Sequence, residues 1–151
     1  MSGGQQELQA LSQQLQEVQE QIEALQGVVE NIREEQSNVD EAITAIQTLE
    51  TDDIVQVPLG GGAYLRASIE DIDEVVVELG ADYAAEFERE DAVSALENKK
   101  TRFDERIDEV TERISELEAE STQLEGHAQQ LQQQALQQQM QGLQGQPDAD
   151  E

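Results

Sequence analysis

The chain has 151 residues, with 35 acidic against 8 basic side chains, a formal charge of −27, no cysteine, no tryptophan and 3% aromatic residues. That charge repels phosphate backbones and anionic lipid surfaces, the missing cysteines remove disulfides and thiolate metal sites, and large side chains are too scarce to fill a globular core. No run approaches the ~18 apolar residues of a membrane span, and the opening Met-Ser-Gly-Gly has neither the basic nor the apolar segment of a signal peptide, so an extended cytoplasmic protein is expected. The acidity is spread along the whole chain, which reads as adaptation to a salt-rich cytoplasm, where screening shortens to about 3 Å at 1 M salt.

From Leu8 the apolar residues alternate at spacings of three and four: Leu8, Leu11, Leu15, Val18, Ile22, Leu25, Val29, Ile32, Gln36, Val39, Ile43, Ile46 and Glu50. Eleven of these thirteen positions are apolar. A seven-residue repeat sustained this long predicts a left-handed coiled coil, because a free-standing helix drifts off a 3.5-residue period. The predicted helix covers 5–50. Gln36 interrupts the seam and reads as a tolerated polar position sooner than as a register-setting one. Glu30 and Glu34 are like charges four apart, so the seam, and not surface pairing, is what holds this arm.

The pattern changes after Leu49. Ile54-Val55-Gln56-Val57-Pro58-Leu59 is β-branched and alternates with period two, placing Val55, Val57 and Leu59 on one face of a strand. Gly60-Gly61-Gly62 supplies the positive φ angles of a hairpin turn, and Ala63 to Ile69 returns. After an acidic link from Glu70 to Glu74, Val75-Val76-Val77-Glu78-Leu79 and Tyr83 to Phe87 flank a turn at Gly80-Ala81-Asp82. The span 54–87 is therefore two short hairpins. Such hairpins are marginal alone and their edges invite pairing, so they are expected to form an oligomerisation platform, with Pro58 restricted to an edge or bulge.

Asp91 is the expected cap of a second helix, over 91–141, whose seam runs Val93, Leu96, Lys100, Phe103, Ile107, Val110, Ile114, Leu117, Ser121, Leu124, Ala128, Leu131 and Ala135. The two seams have equal length, 43 residues each, or roughly 65 Å of helix. An antiparallel pairing within the chain follows, with both termini at the far end from the hairpins. No formally charged residue lies between Glu125 and Asp148, taking His127 as neutral, and only Glu7 precedes Glu17 on the other arm. Leu131, Leu136, Met140 and Leu143 stand in this gap among glutamines, opposite Leu8, Leu11 and Leu15. The stretch reads both as low-complexity sequence and as an adaptable apolar surface. Residues 142–151, with Pro147 and an Asp-Ala-Asp-Glu end, are expected to form a flexible acidic tail.

No catalytic constellation is legible. The triple glycine lacks the Gly-Lys-Ser/Thr ending of a phosphate loop, Asp71, Asp73 and Glu74 lack the spacing of a calcium loop, and His127 has no second ligand for a metal. Neither enzyme activity nor any cofactor or metal is expected.

With two equal coiled-coil arms around two hairpins, the chain resembles the prefoldins, ATP-independent chaperones of archaea and eukaryotes. The most specific stretch is Val57-Pro58-Leu59-Gly60, continuing through Tyr64-Leu65-Arg66-Ala67 to Val75-Val76-Val77-Glu78-Leu79-Gly80, and two hairpins resemble the alpha class, since beta subunits have one. The resemblance implies a mainly α fold, an antiparallel coiled-coil hairpin whose β-hairpins join an oligomeric β-barrel platform. It implies a hexamer with beta subunits, two alpha and four beta, that grips unfolded polypeptide clients at its tips and delivers them to a group II chaperonin. On this sequence the assembly role falls to Val55, Val57, Leu65, Val75 and Val77, and the client role to Leu8, Leu11, Leu15, Leu131, Leu136 and Met140. A coiled-coil scaffold or tether is the alternative.

Overall fold

The computed structural model describes residues 2–144, with side chains over 3–142. Two long helices enclose four strands: α1 (Ser2–Thr48), β1 (Ile54–Gly60), β2 (Ala63–Ser68), β3 (Val75–Gly80), β4 (Tyr83–Phe87) and α2 (Arg89–Gln144). Of the tail expected at 142–151, the first three residues belong to α2; the rest, including Pro147 and the terminal acids, lies outside the described residues.

Burial follows the heptads. Every seam position from Leu8 to Ile46 in α1 and from Val93 to Leu131 in α2 is buried or half-buried. Two compact units result, one made of residues up to Val29 with those from Glu109 on, the other of Glu30–Asp108. In the first, Val18 and Ile22 of α1 close over Leu117 of α2, with Leu25, Ile114 and Leu124 against them. Leu117 is only 1% exposed, a burial worth about 1.5–3 kcal/mol. In the second, Val39 of α1 and Leu96 of α2 meet Ala92 and Val77, with Ile43, Ile46, Val75, Phe87 and Phe103 around them. The helices are antiparallel in both units.

All four helix ends differ from the expected ones, and the two beside the hairpins have a clear cause. Glu50 is not a seam residue, because α1 ends at Thr48. Leu49 adds one more bond, its N–H donating to the carbonyl of Ala45 at 2.9 Å. The Arg89 guanidinium then donates to the Leu49 carbonyl at 2.6 Å and pairs with the Glu50 carboxylate at 3.2 Å. A carbonyl left over at the helix end is satisfied by a side chain from the start of α2. Asp91 does not cap α2, which opens two residues earlier, with the Ala92 N–H already bonded to the Glu88 carbonyl at 2.8 Å. Asp91 and Glu90 instead occupy the first turn, where the helix dipole favours negative charge.

Both hairpins form as expected, each a separate two-stranded antiparallel sheet. They repeat one pattern, Val55-Gln56-Val57-Pro58-Leu59-Gly60 and Val75-Val76-Val77-Glu78-Leu79-Gly80. In each, the register slips by one residue before the glycine, so Leu59 and Leu79 are bulged and Pro58 lies beside a bulge. In each, both turn residues have positive φ: Gly61 at 60° and Gly62 at 80°, Ala81 at 52° and Asp82 at 62°. Two consecutive positive φ values match the right-handed twist of the flanking strands. The bonds Asp52 N to Ile69 O and Ile69 N to Asp53 O extend the first hairpin, and the Asp71 carboxylate accepts from the Asp73 N–H at 2.9 Å to turn the link between hairpins.

The hairpins are not equally placed. Val75 and Val77, opposite Phe87 and Ala85 in the register, form the inner face of β3–β4 and join the helical core. Ala92 is 0% exposed beneath them, and the Lys99 ammonium donates to the Glu78 carbonyl at 3.4 Å. The β1–β2 hairpin has no buried residue.

Gly80 has φ of +102°, beyond the range an L-residue adopts without strain, so Gly80→Ala is expected to lower stability by about 1–3 kcal/mol. Ala81, inside the left-handed region, is expected to tolerate Ala81→Gly with a change of under about 1 kcal/mol. Thermal melts of both variants followed by circular dichroism check the contrast.

Candidate functional surfaces

Among the described residues no charged or polar residue is buried, and no group of three or more His, Cys, Asp or Glu converges to hold a metal ion. The features capable of binding are therefore surfaces. Large apolar side chains left exposed fall in two places, the hairpins and the last turns of α2.

On the first hairpin, Val55 faces Ala67 and Val57 faces Leu65 on one side of the sheet, while Ile54, Pro58 and Tyr64 belong to the other. Val57 is 41% exposed and Leu65 56%, and Ile54, Leu59 and Tyr64 are more exposed still. Val55 is half-buried. On the second hairpin only Val76, Leu79 and Tyr83 are open. Of the residues expected to serve assembly, Val57 and Leu65 thus present free surface, whereas Val77 is 5% exposed within the chain's own core and Val75 is packed against that core. Ile54, Leu59 and Tyr64 belong with the open set; the alternation of the strand pointed to Leu59, but nothing in the sequence said that both faces are uncovered.

At the end of α2 the picture is similarly selective. Leu11 is buried in the seam, and Leu8, Leu15 and Leu131 are half-buried there. Leu136 is 59% exposed and Met140 61%. Only these two of the six residues assigned to client contact stand free.

A family model for prefoldin subunits matches residues 18–134, most of both arms and all four strands. The chain belongs to the prefoldin family. Among its relatives, the prefoldin subunit alpha of Halorubrum lacusprofundi is 62% identical over 109 residues, 72% of each chain. That of Halobacterium salinarum is 63% identical over 108 residues, 72% of this chain and 70% of the relative. Within the prefoldins, then, this is an alpha-type subunit of halophilic archaeal kind, and the family's role is that of a chaperone and not of an enzyme. The cryo-EM structure of filamentous PFD from Methanocaldococcus jannaschii superposes with a TM-score of 0.67, covering 76% of this chain and 98% of that one at 24% identity. At that identity the likeness speaks for the fold.

In this prefoldin arm two of the polar seam residues, Gln36 and Lys100, prove to be neighbours. Gln36 of α1 donates to the Asp104 carboxylate at 2.7 Å and to the Lys100 backbone carbonyl at 3.3 Å. Lys100 of α2 donates to Asp40 at 2.7 Å. Gln36 and Lys100 therefore each reach across to the other helix. Shifting one helix by a turn would break all three bonds, so Gln36 acts as a register-setting residue and not a merely tolerated one. Asp40 and Asp104 escape a reading of heptads because they flank the seam.

The Asp40 hydrogen bond raises the Lys100 ammonium above the usual lysine value of 10.5; desolvation opposes it, and the charges of Asp40, Asp104 and Glu97 each add a smaller rise. A cation whose pKa is raised on folding contributes stability that is complete below its unfolded value and is lost as pH rises through the folded one. The melting temperature of Lys100→Gln is therefore expected to lie below that of the wild type at neutral pH. The gap should close as pH passes above 10.5 and shrink with added salt; a pH-independent gap would trace the loss to packing instead.

Proposed function

We propose that the chain is the alpha-type subunit of an ATP-independent holdase in the cytoplasm. Its hairpins join beta-type subunits in a hexamer of two alpha and four beta. The ends of its coiled coil hold unfolded polypeptides, which the complex passes to a group II chaperonin. The observation that supports this most is where exposed apolar surface falls. Among the described residues, the large apolar side chains along the arms are drawn into seams, and those that stay open fall on the hairpins and at Leu136 and Met140. A passive tether has no use for either surface, since open sheet edges invite pairing and exposed apolar side chains invite association.

Assembly rests on the first hairpin. The pairs Val55 with Ala67 and Val57 with Leu65 form an apolar face of which the chain itself leaves Val57 and Leu65 open, and isolated hairpins of this kind are marginal in water. The second hairpin contributes its outer face, Val76 and Tyr83, while its inner residues Val75 and Val77 support it from within the chain. Client contact rests first on Leu136 and Met140, whose flexible side chains repack around varied partners. Leu8, Leu11, Leu15 and Leu131 contribute where the seam opens.

Charging the open face by Val57→Asp with Leu65→Asp should leave helix content unchanged and reduce the mass of the assembly formed with beta-type subunits, measured by light scattering. Charging Val77 should instead lower the melting temperature. In a second test, Leu136→Ser with Met140→Ser should leave the assembly mass intact and abolish suppression of a denatured protein's aggregation. Full suppression by that variant would place client contact elsewhere.

A further inference from the structure

We propose that the strand added on assembly runs along the outer edge of β2, and that Arg66 selects a strand of a beta-type subunit with a carboxylate opposite it. This rests on the assembly role given above and narrows it to one edge and one partner chemistry.

The ladder decides which edges are open. The Ile69 N–H donates to the Asp53 carbonyl at 2.9 Å, so these two form a hydrogen-bonded pair. Such pairs alternate with non-bonded ones along an antiparallel ladder, which puts Val55 with Ala67 and Val57 with Leu65 in the bonded class. The backbone groups of Ile54, Gln56 and Pro58 on β1, and of Tyr64, Arg66 and Ser68 on β2, therefore turn away from the hairpin. Pro58 has no N–H to offer and its ring stands in the path of an incoming strand, which obstructs the β1 edge near the turn. Glu78 holds the same place in the second hairpin, and its carbonyl, on β3, is taken by the Lys99 ammonium at 3.4 Å. Each hairpin is thus obstructed on its first strand, by different chemistry at one position, and left open on its second.

Charge separates the two open edges. From Asp52 to Glu88 the chain holds ten acidic residues and one cation, Arg66. Arg66 is exposed and makes no ion pair among the described residues, and its register partner is the neutral Gln56. The residue at the equivalent place on β4 is Glu86, opposite Val76. Residues directly opposite on neighbouring strands have Cβ atoms about 5 Å apart, where opposite charges attract and like charges repel. A carboxylate laid beside β4 would meet another carboxylate; laid beside β2 it meets a guanidinium whose fork can take both of its oxygens. The β2 edge also adjoins Tyr64 and Leu65, 61% and 56% exposed, which an added strand would help to cover.

Residue-resolved hydrogen exchange on the full-length chain, free and assembled with beta-type subunits, reads the edge directly. The amides of Tyr64, Arg66 and Ser68 should gain about tenfold more protection than those of Ile54 and Gln56. Because Gln56 and Arg66 face each other across the hairpin, Gln56→Pro and Arg66→Pro remove matched outward N–H groups. By light scattering, Arg66→Pro should weaken assembly by about tenfold or more and Gln56→Pro by less than about threefold. Arg66→Gln, which keeps the N–H, should weaken it by about twofold and Arg66→Glu by about fivefold or more, the two converging as salt rises. Equal protection of both edges, or equal losses from both prolines, would overturn the choice of edge. Unchanged assembly of Arg66→Glu would overturn the partner chemistry, and self-association of the chain alone that Arg66→Glu abolishes would overturn the partner by giving the edge to a second copy. Failure of the wild type to assemble with beta-type subunits would overturn the assembly role itself.

Discussion

Each of the two compact units depends on a narrow apolar seam between α1 and α2. Two helices with a charge this negative have little to hold them together laterally, and the chain offers 8 basic side chains with which to pair 35 acidic ones. What joins α1 to α2 is the meeting of side chains such as Val18 and Ile22 with Leu117, and of Val39 with Leu96. Because the seam is only two positions wide per heptad, sliding the helices is its natural failure. The layer of Gln36, Lys100, Asp40 and Asp104 opposes that, since its bonds form in one register only. At the base of the arms the Arg89 guanidinium, bound to the Leu49 carbonyl and the Glu50 carboxylate, ties the exit of one helix to the start of the other.

The same economy explains why two hairpins of nearly one pattern end in different surroundings. Both carry Val-x-Val-x-Leu-Gly followed by a two-residue turn, with the same bulge before the glycine. Only the second finds small residues beneath it. Ala92 and Ala95 let Val75, Val77 and Phe87 approach the helices and complete their core. The first hairpin has no such seat and contains no buried residue. One hairpin thereby anchors the sheet region to the arms, and the other leaves Val57 and Leu65 exposed.

The sequence made much of this legible. Leucine, isoleucine and valine at spacings of three and four gave the arms and their pairing, the triple glycine gave the first turn, and the absence of charge after Glu125 marked the end of α2. What stayed hidden depends on contacts between distant residues. No local signal distinguishes Val77, which the chain covers, from Val57, which it does not, because the difference lies in alanines on α2. Glu50 occupies a seam position by count and leaves the seam only because the helix has ended. Asp91 has the chemistry of a cap, but Glu88 already supplies the carbonyl that opens the helix. Leu11 and Leu136 look alike in a glutamine-rich stretch, and only the seam's burial of one separates them.

The central claim is that the first hairpin is completed by other subunits while the second is completed by the chain itself. Hydrogen exchange followed by mass spectrometry, on the isolated chain at a dilution where it is monomeric and on its assembly with beta-type subunits, tests this directly. Amides of 75–87 should be protected in both states, and those of 54–68 should gain strong protection only on assembly. Equal protection of the two hairpins in the monomer, or no gain at 54–68 in the assembly, would contradict the account.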